Sequence, residues 1–234
     1  MSNLENIKVM SEMMKKAAAV AAAEQIESGM LVGLGTGSTV FHFINRLIER
    51  VQQGLDIQIV SSSLESEKQA KQGGIKTIDI DTLTSVDITV DGADEIDPEK
   101  RMIKGGGGAL LREKILANMS KKMIVIVDES KVVNQLGKHP LPIEILPFAT
   151  KSIINKINKL GLHGTLRDYP KDGLYRTDNN NHIYDIHFET FCNDPEKIHE
   201  KLLYIPGVLE TGFFFNLAGP VFIGHSDGTV DQWT

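Results

Sequence analysis

The sequence predicts an α/β protein in two parts, and three observations point there. Short apolar strands alternate with helical stretches from Met30 to Val127, the pattern of a parallel sheet covered on both faces. Beyond Gly137 the order becomes β-α-β-β-α-β, a ferredoxin-like split unit. One more apolar strand, Val221–Gly224, follows that unit and is placed to return to the first sheet. The expected architecture is a Rossmann-like parallel core, residues 1–137 and 216–234, with an inserted ferredoxin-like α+β domain over 138–215. A chain of 234 residues with 41% hydrophobic residues can bury such a core.

The elements follow in order. Residues 11–28 read as a helix that Ser11 caps, alanines fill and Gly29 ends. Met30–Gly33 is a strand, followed by a Gly/Thr/Ser turn and a helix to about Gln52. Ile57–Val60 is the next strand, and the SSSLESEKQAK segment turns into a helix closed by Gly73 and Gly74. Val86–Val90 leads into DGADEIDP, a glycine run opens a helix from Ala109 to about Ser120, and Met123–Val127 is fully apolar. In the second unit the strands are Ile143–Pro147, Gly164–Tyr169, His182–Glu189 and Val208–Phe215. Its helices are Thr150–Leu160 and Asp194–Tyr204, and the turn-rich DGLYRTDNNN lies between its central strands.

Composition excludes several classes. The formal net charge is −6, from 25 Lys and Arg against 31 Asp and Glu, and no basic block offers a surface for nucleic-acid phosphates. A lone cysteine, Cys192, excludes an intrachain disulfide and cysteine-rich zinc modules, and it suits a reducing compartment. The histidines fall in no H-x-x-x-H or H-E-x-x-H spacing, so no local metal site is visible. The amino-terminal segment is neither a signal peptide nor a transit sequence, and the Ala17–Ala23 run is too short to span a bilayer. The expectation is a soluble, cytoplasmic chain.

Four polar segments follow or adjoin apolar strands, where open parallel sheets bind ligands. In Gly33–Thr39 the glycines let the backbone approach an anion, while Thr36, Ser38 and Thr39 add hydroxyl donors at a helix start. No lysine precedes the Ser/Thr as a P-loop requires, and the third glycine and ribose-binding acid of a dinucleotide fold are missing. In Asp91–Asp97 four acids crowd seven positions, without the alternate spacing of a calcium loop; catalytic and solvated readings both stand. Lys104–Gly108 places glycine N–H groups and a lysine at a helix start, a site for a developing oxyanion, with Glu113 about one and a half turns in. By spacing alone Glu113 reads as a surface residue, and Lys131, in Asp128–Lys131, as a solvated charge.

GLGTGST, DGADEID, KGGGGALLREK and DESK, in this order and spacing, resemble ribose-5-phosphate isomerase of the A type, and FNLAGPVFIGHSDG resembles that family's last strand. The resemblance implies interconversion of D-ribose 5-phosphate and D-ribulose 5-phosphate in the non-oxidative pentose phosphate pathway, with no metal or organic cofactor. It makes Glu113 the catalytic base and sets Asp91, Asp94 and Lys104 against the reacting carbons and oxygens. It assigns Lys15, Thr36, Gly37, Ser38, Thr39, Gly92, Ala93, Gly105, Gly106, Gly107 and Lys131 to the substrate site. It further implies a homodimer. One departure is Gly108, where many relatives carry alanine; the expectation is no effect on the chemistry.

The chemistry fits those roles. Aldose–ketose isomerisation moves a proton between neighbouring carbons, which one carboxylate can do, and Lys104 with glycine N–H groups would stabilise the enediolate. Asp91 is the choice for acid–base work on the oxygens, with Asp94 orienting hydroxyls; which of the two carries the proton stays open. A sugar-phosphate sensor without catalysis is the alternative. It would need an attached DNA-binding unit, for which the roughly ten residues before the expected first helix leave no room. Cys192 reads as a structural thiol, and His182 and His187 as packing or surface residues. Phe213, Phe214 and Phe215 cannot all face inward from one strand, which calls for a domain contact or a second subunit.

Overall fold

The computed structural model describes residues 3–169 and 173–234. Met1, Ser2 and Asp172, on which parts of the amino-terminal and turn readings fall, lie outside the described residues. In chain order, α1 (Asn3–Ala23) leads to β1 (Leu31–Leu34), α2 (Ser38–Gln52), β2 (Gln58–Ser61), α3 (Leu64–Gln72), β3 (Lys76–Thr77) and β4 (Ile88–Asp91). Two short strands, β5 (Glu95–Ile96) and β6 (Met102–Ile103), precede α4 (Leu110–Met119) and β7 (Met123–Asp128). Next come β8 (Leu141–Ile145), α5 (Thr150–Asn158), β9 (His163–Leu166), β10 (Asp168–Tyr169) and β11 (Gly173–Leu174). The chain ends with β12 (His182–His187), α6 (Pro195–Leu203), β13 (Val208–Thr211), β14 (Phe213–Phe214), β15 (Val221–Gly224) and β16 (Val230–Trp233).

The first unit runs to Ala93, resumes over Arg112–Val132 and closes with Leu217–Thr234. Its sheet has the order β16-β15-β7-β4-β1-β2-β3, parallel throughout except for the β15–β16 hairpin. The order runs one way from β1 to β3 and the other way from β4 onward, so it reverses between β1 and β4. Alternate strand residues supply two apolar faces, as a sheet sandwiched by helices requires. Val32, Leu34, Ile59, Val90 and Ile126 pack with the alanines of α1 and with Phe43, Ile44 and Leu47 of α2. Val60 packs on the other side with Leu116 of α4. Small residues bring α1 close: a Cβ at Gly224 would lie 2.0 Å from the Met14 carbonyl oxygen.

Helix α1 begins upstream of Ser11, the expected cap, and ends at Ala23 instead of residue 28. No glycine or proline interrupts residues 3–10, and a serine inside a helix costs only a fraction of a kcal/mol, about 0.5. Gly29, at φ +90°, sits in the turn into β1. Among the described residues no helix is long and apolar enough to cross a membrane.

The second unit comprises Asp94–Leu111 and Val133–Asn216, wider than the expected 138–215. The cause is a three-stranded sheet, β14-β6-β5, in which Phe213 pairs with Ile103 and Ile103 with Glu95. The other sheet, β13-β8-β12-β9, is antiparallel and takes α5 and α6 through Ile143, Ile145, Ile153, Ile157, Tyr184 and Leu202. The expected final strand divides, because the chain leaves β13 at Thr211 and joins β6 at Phe213. That change of sheet buries both faces of the aromatic run. Phe213 enters the helix-side core, Phe214 is fully buried beneath the Lys104 ammonium at 5.2 Å, and Phe215 stacks on Phe213. The run therefore gives no evidence of a second subunit. Burial pushes the Cys192 thiol up to about 11, which leaves it an inert thiol near neutrality.

Outside the core, His225 ties the β15–β16 hairpin to the turn after β7. Its Nδ1 lies 2.7 Å from the Glu129 carboxylate, and its Nε2 lies 3.0 Å from Asp231. The Glu129 hydrogen bond, more than the Asp231 contact, raises the His225 pKa above the usual histidine value, while Glu129 titrates below the usual carboxylate range. A raised histidine contributes stability fully below its unfolded pKa of about 6.5 and loses it as pH rises through the folded value. His225→Gln should lower the melting temperature by about one or two degrees near pH 6. The effect should shrink as pH rises through the folded His225 pKa, a contrast that calorimetry at about pH 6 and about pH 9 can check.

Candidate active site

At the reversal of strand order, β1 runs into Gly35, Thr36 and Gly37. A side chain at Gly35 is impossible there, since its Cβ would lie 2.0 Å from Asp91 Oδ1. Gly37 adopts φ +112°, a left-handed geometry that favours glycine, and it begins α2 without a side-chain cap. The first N–H groups of α2 are thus not covered by a capping side chain, which together with the Ser38 and Thr39 hydroxyls suits an anion. Asp91, fully buried at the end of β4, holds this turn: its Oδ1 accepts from the Thr36 N–H at 3.1 Å and from the Gly92 N–H at 2.8 Å. The serines after β2 support the turn from behind. Thr36 Oγ1 lies 2.8 Å from Ser62 Oγ, and Ser66 Oγ donates to the Gly35 carbonyl at 2.7 Å.

Lys15 of α1 pairs with Glu12 at 2.9 Å, and Glu12 also meets His42 Nε2 at 2.8 Å, one turn beyond Ser38 in α2. Lys15 first, then His42, holds the Glu12 carboxyl below its ordinary range. The lysine is thereby tied to the helix whose first turn follows Gly37. Lys131 ends the single turn Glu129–Lys131, which Asp128 caps through the Ser130 N–H and His225 fastens through Glu129. Glu113 is only 3% exposed and stands in the first turn of α4. It lies closer to the helix start than one and a half turns, because α4 begins at Leu110, beyond the glycine run. Burial also removes the surface reading of its spacing.

In the second unit the acidic motif divides by role. Glu95 accepts from the Gly137 N–H at 2.7 Å and the His139 N–H at 2.5 Å, and Asp97 pairs with Arg101 at 2.7 Å. Both are structural. Asp94, partly exposed, accepts the Gly106 N–H at 2.7 Å and has His139 Nε2 at 4.0 Å. Gly92 and Ala93, between the two aspartates, are half-buried. Lys104 is 2% exposed, with its N–H on the Gly212 carbonyl at 2.8 Å and its ammonium over Phe214. Among the described residues no three His, Cys, Asp or Glu side chains gather as a metal ion would require.

The glycine run is held from outside. Arg167 Nη1 donates to the Gly105 and Gly106 carbonyls, each at 3.0 Å, and the Tyr175 hydroxyl donates to the Gly107 carbonyl at 3.1 Å. Gly108 adopts φ +80°, and a Cβ there would lie 2.1 Å from Tyr175 Oη. For the fold, as distinct from the chemistry, alanine at 108 is not interchangeable in this chain, because Tyr175 fills the space. Gly108→Ala should destabilise the fold by about 1–2 kcal/mol, from the left-handed backbone and the displaced tyrosine. Chemical denaturation of the variant beside Tyr175→Ala and Gly108→Ala/Tyr175→Ala, which remove the clashing ring, measures the two contributions.

Sequence reasoning missed Glu12, His42, Ser62, Ser66, His139, Arg167 and Tyr175. Glu12 carried a faint signal, three residues before Lys15 on one helix face. Arg167 carried none, since its partners are 18 and more residues away.

Comparison with known proteins finds relatives along nearly the whole chain. Residues 58–228 match the model of the family described as ribose 5-phosphate isomerase A (phosphoriboisomerase A). Ribose-5-phosphate isomerase A of Protochlamydia amoebophila is 52% identical over 214 residues, 92% of each chain. The Listeria innocua protein of the same name is 48% identical over 93% of this chain and 96% of its own. A solved D-ribose-5-phosphate isomerase in complex with phospho-erythronic acid superposes with a TM-score of 0.90 at 40% identity, covering 95% of this chain and 98% of that one. The Methanocaldococcus jannaschii ribose 5-phosphate isomerase A gives a TM-score of 0.88 at 35% identity, over 94% and 98%. Matched by the family model over residues 58–228 and 52% and 48% identical to these relatives over nearly all of its length, the chain belongs to the ribose 5-phosphate isomerase A family.

Proposed function

We propose that this isomerase, which as its family does interconverts ribose 5-phosphate and ribulose 5-phosphate, uses Glu113 as its carbon base. The supporting observation is the burial of Glu113, 3% exposed, in a helix turn where spacing alone would leave a solvated residue. In the open-chain aldose, the Glu113 carboxylate takes the proton from C2, and the C2–H electron pair becomes the C1–C2 double bond. The C1 carbonyl pair moves to O1, giving an enediolate. A proton then passes from O2 to O1 while C2 becomes the carbonyl, and Glu113 returns its proton to C1.

Asp91 performs the proton transfer between the oxygens, and Asp94 orients hydroxyls. Lys104 and the N–H groups of Gly105, Gly106 and Gly107 oppose the enediolate charge. The phosphate is held by Thr36, Gly37, Ser38 and Thr39, with Lys15 and Lys131 supplying positive charge; Gly92 and Ala93 allow the substrate to approach the aspartates. The reading includes catalysis without metal or organic cofactor, a homodimer and a cytoplasmic location. Ketose phosphate should form from ribose 5-phosphate after exhaustive chelation. Activity lost on chelation and restored by Mg²⁺ or Mn²⁺ would contradict the metal-free mechanism, and a monomeric mass by sedimentation would contradict the dimer.

A further inference from the structure

Arg167 follows β9 and uses its guanidinium as a two-sided clamp. Nε and Nη2 grip the Asp185 carboxylate at 2.8 and 2.5 Å, while Nη1 spans the Gly105 and Gly106 carbonyls at 3.0 Å each. Its backbone is fixed as well, the N–H donating to the Ile183 carbonyl and the carbonyl accepting from the Tyr175 N–H, both at 2.9 Å. The Tyr175 ring lies 5.6 Å from the guanidinium carbon, and its hydroxyl takes the next carbonyl, that of Gly107. Three successive carbonyls of the glycine run are therefore held on the Arg167–Tyr175 side.

In a trans peptide the N–H points opposite to the carbonyl. Fixing the Gly105 carbonyl directs the Gly106 N–H to Asp94, where it donates at 2.7 Å. Fixing the Gly106 carbonyl turns the Gly107 N–H away from the guanidinium. Consecutive glycines have the largest backbone freedom to lose, so a loop of this composition does not hold its peptide planes unaided. Arginine suits the task because its rigid fork can grip a carboxylate on one edge and keep N–H groups for other acceptors.

We propose that Arg167 is a positioning residue of the isomerisation: it sets the peptide planes of Gly105–Gly107, and through the Gly106 N–H the Asp94 carboxylate, toward the developing enediolate. This inference rests on the reading of Lys104–Gly107 as part of the substrate site. Preorganised donors act on the transition state more than on bound substrate, so the loss should fall on kcat.

The test compares Arg167→Met, Arg167→Lys and Lys104→Met with the parent enzyme. The readouts are kcat and KM for ribose 5-phosphate, melting temperature, and inhibition by inorganic phosphate and by phospho-erythronate. Arg167→Met should lower kcat by about 10²-fold with KM within about threefold. It should weaken phospho-erythronate inhibition by roughly tenfold and leave inorganic phosphate inhibition unchanged. Arg167→Lys should recover part of kcat, since an ammonium can reach Asp185 and one carbonyl.

A folded Arg167→Met enzyme with parental kcat overturns the proposal. So does a fall in kcat that only tracks a smaller folded fraction. Should Arg167→Met fail to fold, Arg167→Lys decides: a kcat about tenfold down at the parental melting temperature supports the clamp, and parental kcat overturns it. Lys104→Met separates the two levels. If it keeps parental kcat, the reading of the loop as substrate site fails. If it loses kcat while Arg167→Met does not, only the clamp fails.

Discussion

Replacing Glu113 with glutamine should lower turnover of ribose 5-phosphate by about 10³-fold while leaving KM within about threefold. Glutamine keeps the shape and hydrogen-bonding reach of glutamate but cannot accept a proton from carbon. The side chain is buried in the first turn of α4, so an amide of equal size preserves the packing there. Stopped-flow or coupled assays of ketose formation supply kcat, and competition by inorganic phosphate reports whether the variant still binds the anionic end of the substrate. Retained turnover would remove Glu113 from the mechanism. Lost phosphate competition would recast it as a structural residue.

Asp91 should show a divided response. Its Oδ1 accepts from the Thr36 and Gly92 N–H groups, so the same carboxylate shapes the glycine turn and is assigned the proton transfer between oxygens. Asp91→Asn retains a carbonyl oxygen for those two N–H groups but loses the acid–base function. Its kcat should fall by about 10²-fold or more with KM little changed. Asp91→Ala removes the acceptor too, and a hydrogen bond to a charged group is worth about 1.5–3 kcal/mol, so KM should rise by roughly tenfold or more as well. Equal KM values for the two variants would show that the turn does not depend on Asp91.

Much of the fold was legible because period and punctuation agree with the tertiary structure. Met123–Val127 is an unbroken apolar run that suits a strand buried on both faces, and Ser63 and Gly73 bracket α3 as cap and stop. The β-α-β-β-α-β order likewise appeared as alternating elements. What stayed hidden depends on pairing between distant segments. The two-residue strands β5 and β6 have no period of their own and exist through Phe213 and Phe214, more than a hundred residues on. The change of sheet at Gly212 follows from crowding that spacing does not express: a Cβ there would lie 2.3 Å from the Lys104 carbonyl.

The candidate site shows the same division. Its glycines and acids cluster within short segments, so their unusual chemistry is visible locally. The residues that hold those segments are ordinary in sequence. Ser62 and Ser66 fall in a serine-rich helix start, and Asp97 and Asp94 look alike three positions apart, although one pairs with Arg101 and the other with the Gly106 N–H. Arg167 acquires its meaning only from Asp185 and the glycine carbonyls.

The central claim is proton transfer through an enediolate with Glu113 as the base. Its most direct test is NMR of ribose 5-phosphate incubated in D₂O with the parent enzyme and with Glu113→Gln. The parent enzyme should give ribulose 5-phosphate carrying deuterium at C1 in part of the product, and the variant should form ketose at only about a thousandth of the parental rate. Ketose formed at parental rate by Glu113→Gln, or product from the parent enzyme with its C2 hydrogen wholly retained at C1 as a hydride shift would leave it, would contradict the account.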